Sequence, residues 1–326
     1  MKNKLLLCSA LVSAVALTSG VNAETKVGGN LEQIWQSVSR DKATEQVNDA
    51  NSFGAETNIS ISSSKELDNG LKASYGFVIE HGADDAHYLT IGTDTVAVTV
   101  GRDRGDTIDA DAIPYISDDI ATVSGFVGTA GFGNGTTAHN ADHIDIKANL
   151  GVASITARYA PSTNGGATDD GAVTGKDSGG SSTEFVIKGN FGVEGLSVLV
   201  GQNENTEDTA TREDDKIRKY GASYNFGQFT IGAQKGTVDV GSGANTKTTN
   251  TSYGATFAAN DNLSIGLYIG KSDQDGQATD EESKMIQIGY NLGGIGLEIG
   301  HMQLENFAYT AGDDADITFI RTIQKF

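Results

Sequence analysis

Apolar residues fall on every second position through most of this chain. Ile286, Ile288, Tyr290 and Leu292 alternate with Gln287, Gly289 and Asn291. Gly293-Gly294 interrupts the run, and Ile295, Leu297 and Ile299 carry the same face back. A period of 2 places one set of side chains on one face of a β-strand, whereas a helix needs 3.6. The pattern recurs in Tyr220, Ala222, Tyr224 and Phe226, which turn at Gly227-Gln228 into Phe229 and Ile231. It recurs in Ile144, Ile146, Ala148 and Leu150, which turn at Gly151 toward Ile155 and Tyr159. A further pair joins Tyr253, Ala255 and Phe257 to Leu263, Ile265, Leu267 and Ile269 across Asn260-Asp261. Upstream, Leu71 to Ile79 and Val96 to Val100 alternate in the same way.

Runs of roughly 9–11 alternating residues suit tilted strands that cross a membrane, with every second side chain facing lipid. The connections are of two kinds. One end of each pair has a tight turn; the other has a long polar stretch, such as Pro161 to Ser181, Asn203 to Asp215, Asp239 to Asn250 and Ser272 to Glu282. Short turns on one side and long loops on the other are the two ends of a membrane barrel. Tyr88, Tyr159, Phe226, Phe257 and Tyr290 stand near strand ends, where interfacial girdles form. The reading is an all-β, transmembrane antiparallel barrel of about sixteen strands, an even number as closure favours. A β-solenoid would need a fixed short repeat, and the loops vary too much in length.

The N-terminus reads as an export signal. Lys2 and Lys4 precede an apolar stretch from Leu5 to Leu17, and Val21-Asn22-Ala23 offers small residues for cleavage after Ala23. The barrel domain is then 24–326. The only cysteine, Cys8, lies in this leader, so no disulfide framework is expected. With 43 acidic against 23 basic residues, the chain carries a net charge of −20. That excludes nucleic-acid binding through phosphate contacts and favours cations over anions near its exposed charges.

Glu66 to Glu80 (ELDNGLKASYGFVIE) resembles a strand-turn-strand signature of general bacterial porins, and Leu89 to Arg104 is similar to the next one. His139 to Pro161 is similar to the strand pair that follows the family's constriction loop, and Phe326 fits the C-terminal aromatic. The resemblance implies a Gram-negative outer-membrane protein, sixteen-stranded and usually homotrimeric. Each subunit would hold a water-filled pore for passive diffusion of small hydrophilic solutes and ions. It also implies a third loop folded inward, with acids facing basic residues on the wall. Carried onto this chain, the loop is about Asp103 to Asn140, with Asp103, Asp106, Asp109, Asp111, Asp118 and Asp119. Asp111-Ala112-Ile113-Pro114 resembles the family's D-x-x-P, and Tyr115 stands where an acid often follows. On the wall, Arg102 matches the family's arginine. Ser52 and His139 stand where arginines are usual, and Lys72 and Arg158 would contribute if they face inward. A wall thinned of positive charge against a retained acidic loop implies cation preference.

The five histidines form no recognisable catalytic motif, and no enzymatic role is expected. His139 and His143 straddle a loop-to-strand junction, which removes the meaning of their spacing as a metal pair. No cofactor or metal is expected. Contacts with outer-membrane lipid and lipopolysaccharide, with divalent cations bridging loop carboxylates, are the expected surroundings. The competing readings are a substrate-selective channel, for sugars for example, and an adhesin or structural barrel without an open pore.

Overall fold

The computed structural model describes residues 24–41, 50–80, 83–102, 108, 110–117, 142–161, 180–206, 214–241 and 247–326. Among them are sixteen strands. They are β1 (Glu24–Asp41), β2 (Ala50–Glu66), β3 (Lys72–Glu80), β4 (Ala83–Gly92), β5 (Val96–Arg102), β6 (His143–Asn149), β7 (Ala153–Ala160) and β8 (Ser182–Gly189). β9 (Leu196–Asn205), β10 (Asp215–Phe226), β11 (Phe229–Asp239), β12 (Lys247–Asn260), β13 (Leu263–Gln274), β14 (Glu281–Asn291), β15 (Ile295–Glu305) and β16 (Asp314–Lys325) follow. Each strand pairs with its chain neighbours, and β1 pairs antiparallel with β16 to close the barrel. At the seam, Gly29 and Phe326 exchange backbone hydrogen bonds of 3.1 Å in both directions. Closure leaves no sheet edge, which a lipid environment demands because it cannot satisfy free backbone groups.

The outward face carries the alternation read from the sequence. Ile265 pairs with Phe257 and Ile288, and Leu267 pairs with Ala255 and Ile286, so apolar ladders run around the barrel. Near the short turns Tyr224, Phe226, Phe229 and Phe257 form a continuous stacked row, with centroid separations of 6.2, 5.7 and 4.6 Å. Such a girdle marks a membrane interface. Tyr88 does not belong to one. It pairs with Gly76, on the inward face, and its ring lies over that glycine.

Two features differ from expectation. β1 and β2 span 18 and 17 residues, yet the sequence there shows no clean alternation. Several strands also run into stretches read as loop: β9 continues to Asn205, β13 to Gln274, and β14 begins at Glu281. Both have one cause. A barrel strand that projects beyond the lipid has polar surroundings on both faces, so hydrogen bonding persists where hydrophobic periodicity stops.

Candidate pore constriction

The described part of the chain between β5 and β6 lies inside the barrel, on the wall formed by β8 to β16. Its seat is a track of inward-facing glycines on six consecutive strands: Gly201, Gly221, Gly232, Gly254, Gly266 and Gly289. A methyl group on Gly221 would lie 2.6 Å from Ala112 Cβ, and one on Gly289 would lie 2.7 Å from Ile116 Cγ2. On Gly254 it would collide with the Pro114 carbonyl oxygen. Only glycine lets a second backbone approach a sheet this closely.

Polar contacts hold the segment along this track. Gln234 accepts from Ala112 N (2.9 Å) through Oε1 and donates to Asp111 Oδ1 (2.7 Å) through Nε2. Lys219 Nζ donates to the same Asp111 oxygen at 3.0 Å. Further on, Gln287 accepts from Ile116 N (2.9 Å) and donates to the Ser117 carbonyl (3.0 Å). Arg321 donates to Ser117 Oγ at 3.1 Å. Buried backbone groups are therefore met by inward amides of the wall, as burial requires.

Apolar contacts complete the seat. Ile113 packs into a buried cluster with Tyr268, Met285, Met302, Ile317 and Phe319, all inward-facing residues of β13 to β16, and Tyr115 flanks it. Ile108 closes a second cluster with Val186 and Ile217. Fully burying side chains of this size is worth about 1.5–3 kcal/mol each.

Two further charge clusters stand on the inner wall. Arg158 donates in a bidentate pair to Asp145 (both 2.7 Å), with Glu184 at 3.9 Å and His143 3.6 Å from Asp145. Arg321 is held by Glu32 and by Glu298, the latter at 3.3 Å. Each guanidinium is thus shared by two carboxylates.

The residues expected at the constriction fall in different places. Asp111 and Tyr115 are on the inward segment, but Asp111 is buried and bound to Lys219, so it anchors the segment. Arg158 is on the inner wall but fully buried in its own ion cluster. Arg102 does not face the loop from the pore wall. Its register opposite His87 puts it on the outward ladder of Val100 and Leu89, where its Nε lies 3.7 Å from Asp142 and His87 Nε2 lies 3.2 Å from that carboxylate. Lys72 faces inward but at the short-turn end, paired with Asp94 at 2.7 Å and well away from the segment. Asp103, Asp106, Asp109, Asp118, Asp119 and His139 lie outside the described residues.

Sequence reasoning missed Lys219, Gln234, Gln287, Glu298 and Arg321. All five have the parity that faces inward; Gln287 and Glu298 sit between two apolar residues, whereas Lys219, Gln234 and Arg321 each have one polar neighbour, Arg218, Lys235 and Thr322. A second signal was available in β16, where Ile317, Phe319 and Ile320 place apolar groups on both faces; a strand apolar on both faces is covered on both.

These features agree with comparisons to known proteins. The Gram-negative porin family matches residues 10–306. This chain belongs to that family. The anion-selective porin from Comamonas acidovorans superposes with a TM-score of 0.68 at 16% identity, covering 94% of this porin and 100% of that chain. OmpT of Vibrio cholerae gives 0.67 at 14% identity, over 93% and 98%. The trimer form of in-vitro folded OmpT gives 0.62 at 14% identity, over 93% and 99%. No curated protein sequence matches the chain. The porin is a multi-pass β-barrel of the outer membrane.

Proposed function

We propose that this porin is a cation-preferring channel for passive diffusion of small hydrophilic solutes and ions, with no enzymatic role. The observation that carries the preference is the stoichiometry of the inner-wall clusters. Two carboxylates surround Arg158 and two surround Arg321, while the Lys219–Asp111 pair is neutral. In each of these arginine clusters the carboxylates in contact outnumber the guanidinium, and such an excess in a low-dielectric wall attracts cations.

An opposing feature lies at the short-turn mouth, where Lys26, Lys72, Lys147, Lys188 and Lys325 share the inward parity. Charge at that exposed mouth is screened by salt over about 8–10 Å, whereas the buried clusters of the inner wall are screened much less. Reversal potentials across a planar bilayer in a salt gradient test this. Cation preference that weakens in high salt is expected, and anion preference overturns the proposal.

The proposal includes a homotrimer of mature chains that begin at Glu24, after loss of residues 1–23. Gln33, Thr322 and Gln324 are outward on β1 and β16, where lipid would favour apolar groups, which supports subunit contact there. One matched structure is itself described as a trimer form. The mass of unheated, detergent-purified protein checks the trimer; a monomer mass overturns it.

A further inference from the structure

Between the inward segment and the short turns, the inner wall of β13 to β16 is hollowed. One inward rung runs Ser264, Gly289, Glu298 and Arg321 across these strands, and the next runs Asn291, Gly296 and Ile323. Gly289 lies under Ile116 of the segment, whereas a methyl group on Gly296 would meet nothing nearer than 3.8 Å. The wall therefore keeps a recess of about 690 Å³, bounded on the segment side by Tyr115 and Ile116. Small-molecule sites occupy about 300–1,000 Å³.

The rim of this recess separates charge by sign. Asp261, in the turn between β12 and β13, borders one side, and Lys325 of β16 borders the other. Neither forms an ion pair or a side-chain hydrogen bond among the described residues. Glu298, the third charged residue of the lining, is already paired with Arg321 at 3.3 Å. On the floor, Asn291 Oδ1 accepts from Gly293 N and Gly294 N, which leaves Nδ2 to donate to a ligand. Strands β13, β14 and β15 lie between the two rim charges. At about 4.8 Å between strands, the backbones that carry them stand about 15 Å apart. The aspartate and lysine side chains take up part of this span and leave about 7–10 Å, the length of two to three extended residues at about 3.3–3.6 Å each. A single amino acid is too short to reach both charges, and a neutral sugar offers a partner to neither.

We propose that this recess is a subsite for short zwitterionic peptides on the short-turn side of the pore. The peptide's ammonium group meets Asp261, its carboxylate meets Lys325, and a backbone carbonyl accepts from Asn291 Nδ2. Its side chains lie against Tyr115, Ile116 and Ile323. The subsite rests on the reading of the barrel as an open channel and names a class of solute for it. Both contacts are exposed ion pairs, so each contributes modestly, and the preference comes from meeting both ends at once.

The test uses the full chain in planar bilayers and reads the concentration at which added peptide half-saturates its block of the salt current. Trialanine is the zwitterion of the series, trialanine amide the cation and N-acetyl-trialanine the anion. General pore electrostatics in a cation-preferring channel ranks the amide first, whereas the subsite ranks the zwitterion first, by about threefold over the amide. Lys325→Gln is expected to weaken trialanine to the level of the amide and to leave the amide unchanged. Asp261→Asn is expected to weaken trialanine about threefold and to leave N-acetyl-trialanine unchanged. Lys65→Gln, outward at the short-turn end, keeps the wild-type ranking. An amide that equals or outranks the zwitterion in the wild type, or an unchanged trialanine response in both variants, overturns the proposal. Should a variant fail to insert, the wild-type ranking decides. A protein that conducts salt but ranks the amide first disproves only the subsite; one that does not conduct overturns the channel reading and this one with it.

Discussion

Lys219 Nζ lies 3.0 Å from Asp111 Oδ1, and both side chains are buried against the inner wall of the barrel. This pair ties the inward segment to β10, and Gln234 on β11 completes the cage around the same carboxylate. Removing one partner of a buried pair leaves an uncompensated charge, at a cost of about 3–5 kcal/mol. Lys219→Ala is expected to release the segment locally, giving noisier open-channel current and frequent closures in single-channel records. Asp111→Leu with Lys219→Met removes both charges together and is expected to return part of the quiet behaviour. Identical noise in Lys219→Ala and wild type would falsify the anchoring role.

The glycine track makes a steric prediction. At Gly221 and Gly254 the added side chain would meet Ala112 Cβ and the Pro114 oxygen, so Gly221→Val and Gly254→Val should push the segment toward the pore axis. Overpacking of this kind costs about 1–3 kcal/mol, which a closed barrel with intact ladders survives. Conductance should fall while the barrel still forms, as read by its β-sheet circular dichroism. Gly296→Ala is the control, since its nearest neighbours are Ile323 atoms at 3.8–3.9 Å. A Gly254→Val channel with wild-type conductance would show that the segment does not narrow the pore.

Arg321 predicts a change of selectivity. It neutralises part of the Glu32–Glu298 pair and also holds Ser117. Arg321→Gln is expected to strengthen cation preference and lower folding yield, because two carboxylates then share a buried site. Glu298→Gln is expected to weaken cation preference. The two reversal potentials should move in opposite directions, and a shift of Arg321→Gln toward anions sinks the assignment.

Glu281 supplies a pH dependence on the long-loop side. Burial pushes its carboxyl from the usual 4.5 up to about 7, opposed by the hydrogen bond from Ala308 N. Ala308 belongs to a 3₁₀ turn, Phe307–Tyr309, whose Phe307 packs on the lumen cluster and under Arg40. A raised carboxyl means that the folded state holds the proton more tightly than the unfolded one. Its contribution is fully present below about 4.5 and is lost as pH rises through about 7. Amide exchange at Ala308 to Thr310 should therefore speed up between these values by more than the intrinsic rate, and Glu281→Gln should flatten the change. A wild-type profile that follows intrinsic exchange alone refutes it.

Much of the barrel was legible before any coordinates. Residues such as Ile286, Ile288 and Tyr290 must face one way, because period 2 leaves a strand no other option, and the Gly293-Gly294 turn returns them to the same face. The inward-folded segment was legible only as a resemblance around Asp111 and Pro114. Its location was hidden, because Lys219, Gln234 and Gln287 are single inward positions on three different strands, and nothing local marks them as meeting one segment. Arg102 shows the limit most clearly. It stands next to a loop rich in aspartates, but it pairs with Asp142 on the other face of the sheet.

The sequence by itself determined the lipid-facing residues of the cleanly alternating strands and the short turns between them, because both depend on local alternation and turn chemistry. The tertiary structure alone decided which wall the segment lies against and which charges meet inside. Glycines from six strands form one track, and Glu32 reaches Arg321 across 289 positions. Such contacts exist only once the barrel closes. Closure depends on register summed over sixteen strands, a quantity that no short stretch of sequence contains.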